Sequence, residues 1–375
     1  MRINTTILAI GLGLGSAGLA GAQTHYVYLT GSTAARNAVY ATLNSTAVFD
    51  AAPTATTQGN SAPQKANYMT FVGNIGGKPF SVKCDWSGSE GGIADIAGNL
   101  SENFLTDAAV TSLSSSSPGP FESDVVDLAM ADAAVQFSKN PKGAITGTEV
   151  CVIPFTFMKG VGSAADLVNI TSAQFRQAIT GGASLALFTG NAADTSFVYI
   201  TGRDDNSGTR VNVMGETGYG IFTPVAQIET DSSGNMMFGP TFTTEEGYPS
   251  GGGVATQLGV NTSSAPDSIN GGTGYSVIGY LGISDALTAA GLGATYLSFN
   301  GVMESPTTVE QGQFTYWGNE YCYHKNTAST DALTVYGKLV ANPGGITSKS
   351  DGTTTIDLGL MNCSRNGPTS DPIHF

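Results

Sequence analysis

The residues best suited to chemistry lie in one short segment, Arg203-Asp204-Asp205-Asn206-Ser207-Gly208-Thr209. A guanidinium presents a planar fork of donors that grips an oxyanion with two hydrogen bonds. Ser and Thr hydroxyls add donors, and Gly lets backbone N–H groups approach closely. The segment follows an apolar, β-branched strand expected at Phe197–Ile200, so Arg203 stands just past a strand end. Ser207-Gly208-Thr209 then opens a helix, whose free N–H groups and positive dipole end favour an anion. Capture of an oxyanion is the chemistry this pattern could perform, with Asp205 placed to hold the arginine. Spacing alone leaves a second reading open, in which Arg203 is a surface residue paired with Asp204 or Asp205 beside an ordinary helix cap.

Such a segment needs elements to position it, and the same strand, small polar loop and helix recur earlier. His25-Tyr26-Val27-Tyr28-Leu29 runs into Thr30-Gly31-Ser32-Thr33 and a helix at Ala34–Leu43, with Ala35, Val39 and Leu43 four residues apart. Pro79–Asp85 alternates like a strand and leads through Trp86-Ser87-Gly88-Ser89-Glu90-Gly91-Gly92 to a helix around Ile93–Ile96. A buried strand at Val125–Met130 ends at Ala131-Asp132. Alternation of this kind predicts an α/β fold, with ligand loops at the carboxyl ends of the strands. Taken singly, each loop is weak evidence, because Ser, Thr and Gly also cap helices.

Further along, Val150–Phe157 reads as an apolar strand crossing into a second lobe. Thr171-x-x-Gln174 is a capping box for a helix at Ala173–Ile179 that stops at Gly181-Gly182. Ser114–Pro120 reads as a surface loop and residues 230–274 as irregular surface, with Tyr275–Tyr280 a strand returning to the first lobe. Phe314–Trp317 and Tyr321–Tyr323 alternate like core strands.

Arg203 to Thr209 resembles the R-x-D-G-S-G-T motif of periplasmic phosphate-binding proteins, the solute receptors of phosphate-uptake ABC transporters. Gly88-Ser89-Glu90-Gly91-Gly92-Ile93 is similar to that family's G-S-S-G-G-V loop, and Val126-Asp127-Leu128-Ala129-Met130-Ala131-Asp132 to its V-D-F-G-A-S-D strand end. Gly31-Ser32-Thr33 resembles a shortened form of the opening G-A-G-x-T loop. The four matches occur in family order and span roughly residues 28–210. The resemblance implies a type II periplasmic-binding-protein fold, two α/β lobes closing over inorganic phosphate. It divides the chain into a signal peptide at 1–22, a first lobe at 23–150 and 281–375, and a second lobe at 151–280. It implies donors from Thr33, the Ala34 N–H, Ser89, Arg203, Ser207, the Gly208 N–H and Thr209. Asp132 would accept the proton of HPO₄²⁻ or H₂PO₄⁻, which sulfate lacks at neutral pH. Two positions depart from the pattern: Glu90 replaces a small residue and is expected to point to solvent, and Asn206 replaces Gly, a mild change because Asn tolerates left-handed backbone.

The rest of the chain limits the setting. Met1–Ala22 has Arg2, the short apolar run Ile7–Leu12 and an Ala20-Gly21-Ala22 end, the pattern of a cleavable secretory signal. The run is too short and Gly-rich to anchor in a membrane, and no Cys follows it to carry lipid. A soluble, monomeric, periplasmic or secreted protein starting near Gln23 is expected. A net charge of −14 argues against nucleic acid as a partner. That charge does not forbid an anion pocket, since surface charge is screened within roughly 8 Å in physiological salt. Cys84, Cys151, Cys322 and Cys363 allow up to two disulfides, with Cys322–Cys363 the expected pair.

His25, His324 and His374 are scattered, Ser207 has no evident base, and no cofactor or metal is expected, so a binding protein is favoured over an enzyme. An ABC permease is the partner that phosphate uptake would require. The alternative is an extracellular adhesion or matrix protein that keeps the fold without transport. Abundant Gly, Ser and Thr allow it.

Overall fold

The computed structural model describes residues 23–60, 62–113, 117–140, 143–238, 247–365 and 372–374. The expected signal peptide lies outside them. The first part of the chain forms β1 (His25–Gly31), α1 (Arg36–Leu43), β2 (Thr54–Gln58), β3 (Tyr68–Ile75), β4 (Lys78–Asp85) and α2 (Ser89–Gly98), followed by a hairpin of β5 (Ser101–Leu105) and β6 (Phe121–Val125), then β7 (Leu128–Ala131). The middle forms β8 (Ile145–Lys159), β9 (Asn169–Ile170), α3 (Ser172–Ala178), β10 (Ala183–Ser184), α4 (Ala186–Thr189), β11 (Phe197–Thr201) and α5 (Gly208–Glu216). It continues through β12 (Ile228–Thr230), β13 (Met236–Phe238), α6 (Gly251–Leu258), β14 (Ser276–Gly282), α7 (Ile283–Gly291) and β15 (Thr295–Phe299). The last part adds α8 (Pro306–Glu310), β16 (Trp317–Lys325), α9 (Thr330–Leu339), β17 (Cys363–Ser364) and β18 (Ile373–His374).

β8 ties the architecture together. Its first residues, Ile145–Pro154, pair with β16, which leads on through β7, β1, β4, β3 and β2. Its last residues, Phe155–Lys159, pair with β14, which leads on to β11 and β10. One strand therefore serves two wings of a mixed sheet. Within the first wing β1 runs parallel to both β4 and β7, and in the second β11 runs parallel to β14. Parallel strands are covered on both faces and read as unbroken apolar runs. Leu128–Ala131 and Ser276–Gly282 are buried throughout, as that rule requires. Because β1, β4 and β7 point the same way, Ser32, Ser89 and Asp132 all emerge at one edge of the first wing.

Several expectations are met, including the strand at Phe197–Ile200 and the Thr171–Gln174 capping box, in which both reciprocal hydrogen bonds form. Three differ. Tyr275–Tyr280 does not return to the first wing: β14 lies between β11 and the second half of β8. Residues 230–274 are not merely irregular, since they hold β13 and the glycine-led helix α6. Ser250 caps α6, accepting from the Gly253 N–H, and Gly251 packs so closely on Asp285 that a Cβ would lie 2.0 Å from its Oδ2. Close packing thus overrides the poor helix propensity of three successive glycines.

The third difference concerns the cysteines. All four are free and separately buried, so the Cys322–Cys363 bridge does not form. Cys322 sits in β16 opposite Met130, while Cys363 packs on Gly312 and the Val309 carbonyl. Burial pushes the thiols of Cys84 and Cys151 well above their usual range, which makes them unreactive. Among the described residues no helix is long and apolar enough to cross a membrane.

Candidate functional site

Where the two wings meet, Thr33, Gly88, Ser89, Asp132, Arg203, Ser207, Gly208 and Thr209 line a closely packed pocket. Seven of the eight residues expected to bind are thus brought together, from four separate loops. Ala34 is the exception: it sits in the turn before α1 and does not line the pocket. The first turn of α1 starts at Arg36, two residues later than the expected helix, so the Ala34 N–H belongs to the turn.

Two further helices present their N-termini here. α2 begins at Ser89, with Gly88 as cap at φ 87°, and α5 begins at Gly208, with Ser207 as cap. Ser207 Oγ accepts the Arg210 N–H at 3.4 Å, which leaves its own hydroxyl hydrogen free to donate to an anion. Gly88 is needed for two reasons. Its φ is positive, and a Cβ there would meet the Asn206 carbonyl oxygen at 2.7 Å.

Asp132 is 3 % exposed and forms the acceptor side of the pocket. Its Oδ1 accepts the Ser89 hydroxyl at 2.7 Å, and its N–H donates to Ser89 Oγ at 3.2 Å. Burial pushes the carboxyl up to about 6, while the Ser89 hydrogen bond and the Arg203 charge oppose the shift. It therefore remains mostly an ionised acceptor at neutral pH.

Arg203 is equally buried, but its partners are unexpected. Nε donates to the Tyr248 carbonyl at 3.1 Å and Nη2 to the Pro249 carbonyl at 3.0 Å. Its backbone is fixed as well: the N–H donates to Tyr280 Oη at 3.1 Å, and the carbonyl accepts from Gln227 Nε2 at 3.1 Å. Asp205 does not hold the arginine. It pairs instead with Lys139 Nζ at 2.6 Å, across the meeting line of the wings. Arg203 makes no ion pair among the described residues, so its charge is held by neutral carbonyls and directed at a pocket that contains one carboxylate.

Other bonds draw the two wings together. The Glu90 N–H donates to the Asn206 carbonyl at 2.9 Å. Asn212 Nδ2 bridges the Asp132 carbonyl at 2.7 Å and the Gly208 carbonyl at 2.9 Å. Asn212 lies four residues after Gly208 on α5, one turn on and on the same face. The Glu90 side chain does not point to solvent as expected. It is fully buried and turned away from the pocket, where Oε2 accepts from Ser138 Oγ at 2.7 Å and the Lys139 N–H at 3.0 Å. Because α2 begins at Ser89, Glu90 falls in its first turn and faces the loop at Ser138–Asn140. The ligand pocket is spared its charge.

Several buried or half-buried carboxyls bear on the response of the fold to pH. Burial raises Asp85, Asp95 and Glu304 to about 7 and Asp132 to about 6. The folded chain then holds protons that the unfolded chain releases, and stability falls as pH rises from the ordinary carboxylate range towards 7. Asp50, Asp107, Asp231 and Asp351 are lowered, mainly by hydrogen bonds, and lose their stabilising effect only as pH falls through the acidic range below. The ligand-free protein should therefore melt at a higher temperature near pH 5 than near pH 7.5. A melting temperature that rises over that interval in a calorimetric scan would contradict this assignment.

No family model and no curated relative matches the chain. Solved structures do. A protein described as a phosphate ABC transporter substrate-binding protein, from Clostridium perfringens and solved with phosphate bound, is similar over 89% of this chain and 100% of its own, at 14% identity and a TM-score of 0.53. An ABC-type phosphate transport receptor from Vibrio cholerae covers 84% and 94% at 13% identity and a TM-score of 0.49. The likeness to the Clostridium protein is one of fold: this chain shares that protein's α/β architecture.

Proposed function

We propose that the chain captures inorganic phosphate in the pocket between its wings and, exported from the cell, hands it to an ABC permease. The observation that carries this reading is the pairing of opposites in one buried pocket. Arg203 and two helix N-termini supply positive potential, and Asp132 supplies a single acceptor. An oxyanion without a proton gains from the first set but sets bare oxygen against the Asp132 carboxylate. One that keeps a proton satisfies both. The lobes expected at 23–150 with 281–375, and at 151–280, correspond in this reading to bodies that part to admit the ion. The Clostridium protein of similar fold, solved with phosphate bound, supports the same choice of ligand.

A purely adhesive role has less in its favour, because it gives no reason to bury Arg203 where, among the described residues, it makes no ion pair. Catalysis has little as well: among the described residues, neither a histidine nor a carboxylate hydrogen-bonds Ser207 as a base would.

The test is selectivity. With Asp132→Asn, the amide can donate where the carboxylate only accepts. The preference for phosphate over sulfate should shrink by at least roughly 100-fold, chiefly through gained sulfate binding. Titration calorimetry with both anions reads this directly. An unchanged preference would remove Asp132 from its role.

A further inference from the structure

Below the pocket lies a second carboxyl that the phosphate reading does not use. Glu320, on β16, is fully buried, and its Oε2 is hydrogen-bonded to Ser32 Oγ at 3.0 Å. Ser32 is itself fully buried, held by its N–H on the Met130 carbonyl at 2.8 Å. The strand is irregular here: the register against β8 shifts between Glu320, opposite Cys151, and Tyr321, opposite Glu149. On its other side Tyr321 pairs with Ala131, the residue before Asp132. A bulge of this kind re-aims a side chain. Here it coincides with a carboxyl brought under Asp132.

Glu320 Oε1 has no hydrogen-bond partner. The groups that face Glu320 are Ser32 after β1, Asp132 after β7, Cys151 on β8, and Cys322 and Tyr323 on its own strand; none is a cation. A carboxylate with one hydrogen bond, one bare oxygen and an acidic neighbour is strongly disfavoured in such a place. Burial and the Asp132 charge accordingly push Glu320 well above the usual carboxylate range. In the structure Ser32 Oγ donates to Glu320 Oε2; a neutral Glu320 can reverse that bond, donating to Ser32 Oγ and freeing the serine hydrogen to turn towards Asp132.

We propose that Glu320 is a positioning residue for specificity: a neutral carboxyl that orients Ser32 onto Asp132, keeps Asp132 an acceptor, and so enforces the demand for a protonated oxyanion. The inference rests on the phosphate reading for its consequence, but the Glu320–Ser32–Asp132 relay can be measured without any ligand. In full-length protein, Glu320→Gln keeps a donor towards Ser32 and should leave the phosphate-to-sulfate preference within about threefold of wild type. Glu320→Leu removes the donor. It should reduce that preference by roughly tenfold, the effect of losing one hydrogen bond to a charged group, and move the Asp132 carboxyl titration upward in carbon-13 NMR. Ser32→Ala should reproduce both effects, which guards against a Leu variant that does not fold. Unmoved Asp132 titration in the Leu and Ala variants would overturn the relay, as would a Gln variant that behaves like Leu. Wild-type protein that takes up no phosphate, yet shows the shifted titrations, would instead refute the phosphate reading alone.

Discussion

Arg203→Met is expected to weaken phosphate binding by roughly 30- to 5000-fold while leaving the ligand-free protein as stable as wild type or more so. The loss corresponds to the 2–5 kcal/mol typical when one partner of a buried, hydrogen-bonded charge pair is removed. The unusual half of the expectation is stability. Arg203 is 3 % exposed, and its guanidinium rests on the Tyr248 and Pro249 carbonyls rather than on an acid. Among the described residues this buried charge makes no ion pair and has only the Asp132 carboxylate across the pocket, so its burial costs free energy in the empty site that an apolar chain of similar length relieves. Calorimetric binding and thermal melting of the two proteins measure both halves. A clear drop in melting temperature would mean that the arginine supports the fold, and equal affinity would remove it from the site.

Gly208→Ala should be nearly as damaging by a different route. The added Cβ would lie 1.5 Å from Asp132 Oδ1 and 2.7 Å from Ser89 Oγ. Those atoms cannot simply give way, because Ser89 and Asp132 are bonded to each other and Asn212 clamps the Asp132 carbonyl to that of Gly208. The two wings could no longer meet, and affinity should fall by at least roughly 100-fold, comparable to removing one donor from a preorganised oxyanion site. Gly208 has an ordinary helical start, so Ala costs the backbone nothing and even favours α5 by about 0.5–1 kcal/mol. The helix itself tolerates Ala, so the expected result is a folded protein that has lost binding, with a melting temperature lowered by the loss of the contacts between the wings. Wild-type affinity in this variant would show that the closed arrangement is not the one that binds.

What could be read from the residues was whatever side-chain type announces. The Arg203–Thr209 segment, the Ser89 loop and the Asp132 strand end carry their chemistry in local order, and parallel strands bring them to one edge. What could not be read depends on backbone or on long-range packing. The Tyr248 and Pro249 carbonyls hold Arg203, but any residues have carbonyls, so no side chain marks them. Asp205 looks like the natural partner of Arg203, yet Lys139, 66 positions earlier, takes it when the wings meet. Glu90 is expected to face solvent because an inward carboxylate would repel an anion, yet a helix that starts at Ser89 turns the side chain into the loop at Ser138–Asn140. Glu320 carries no local signal, because its position under Asp132 follows from a register shift between distant strands.

The most direct test is titration of the purified, ligand-stripped wild-type protein with phosphate and, separately, with sulfate near pH 7.5. Saturable binding of one phosphate per chain, with sulfate bound roughly 10⁴-fold more weakly or not at all, is the result predicted from the opposition of Arg203 and Asp132. No saturable phosphate binding, or equal affinity for the two anions, would contradict it.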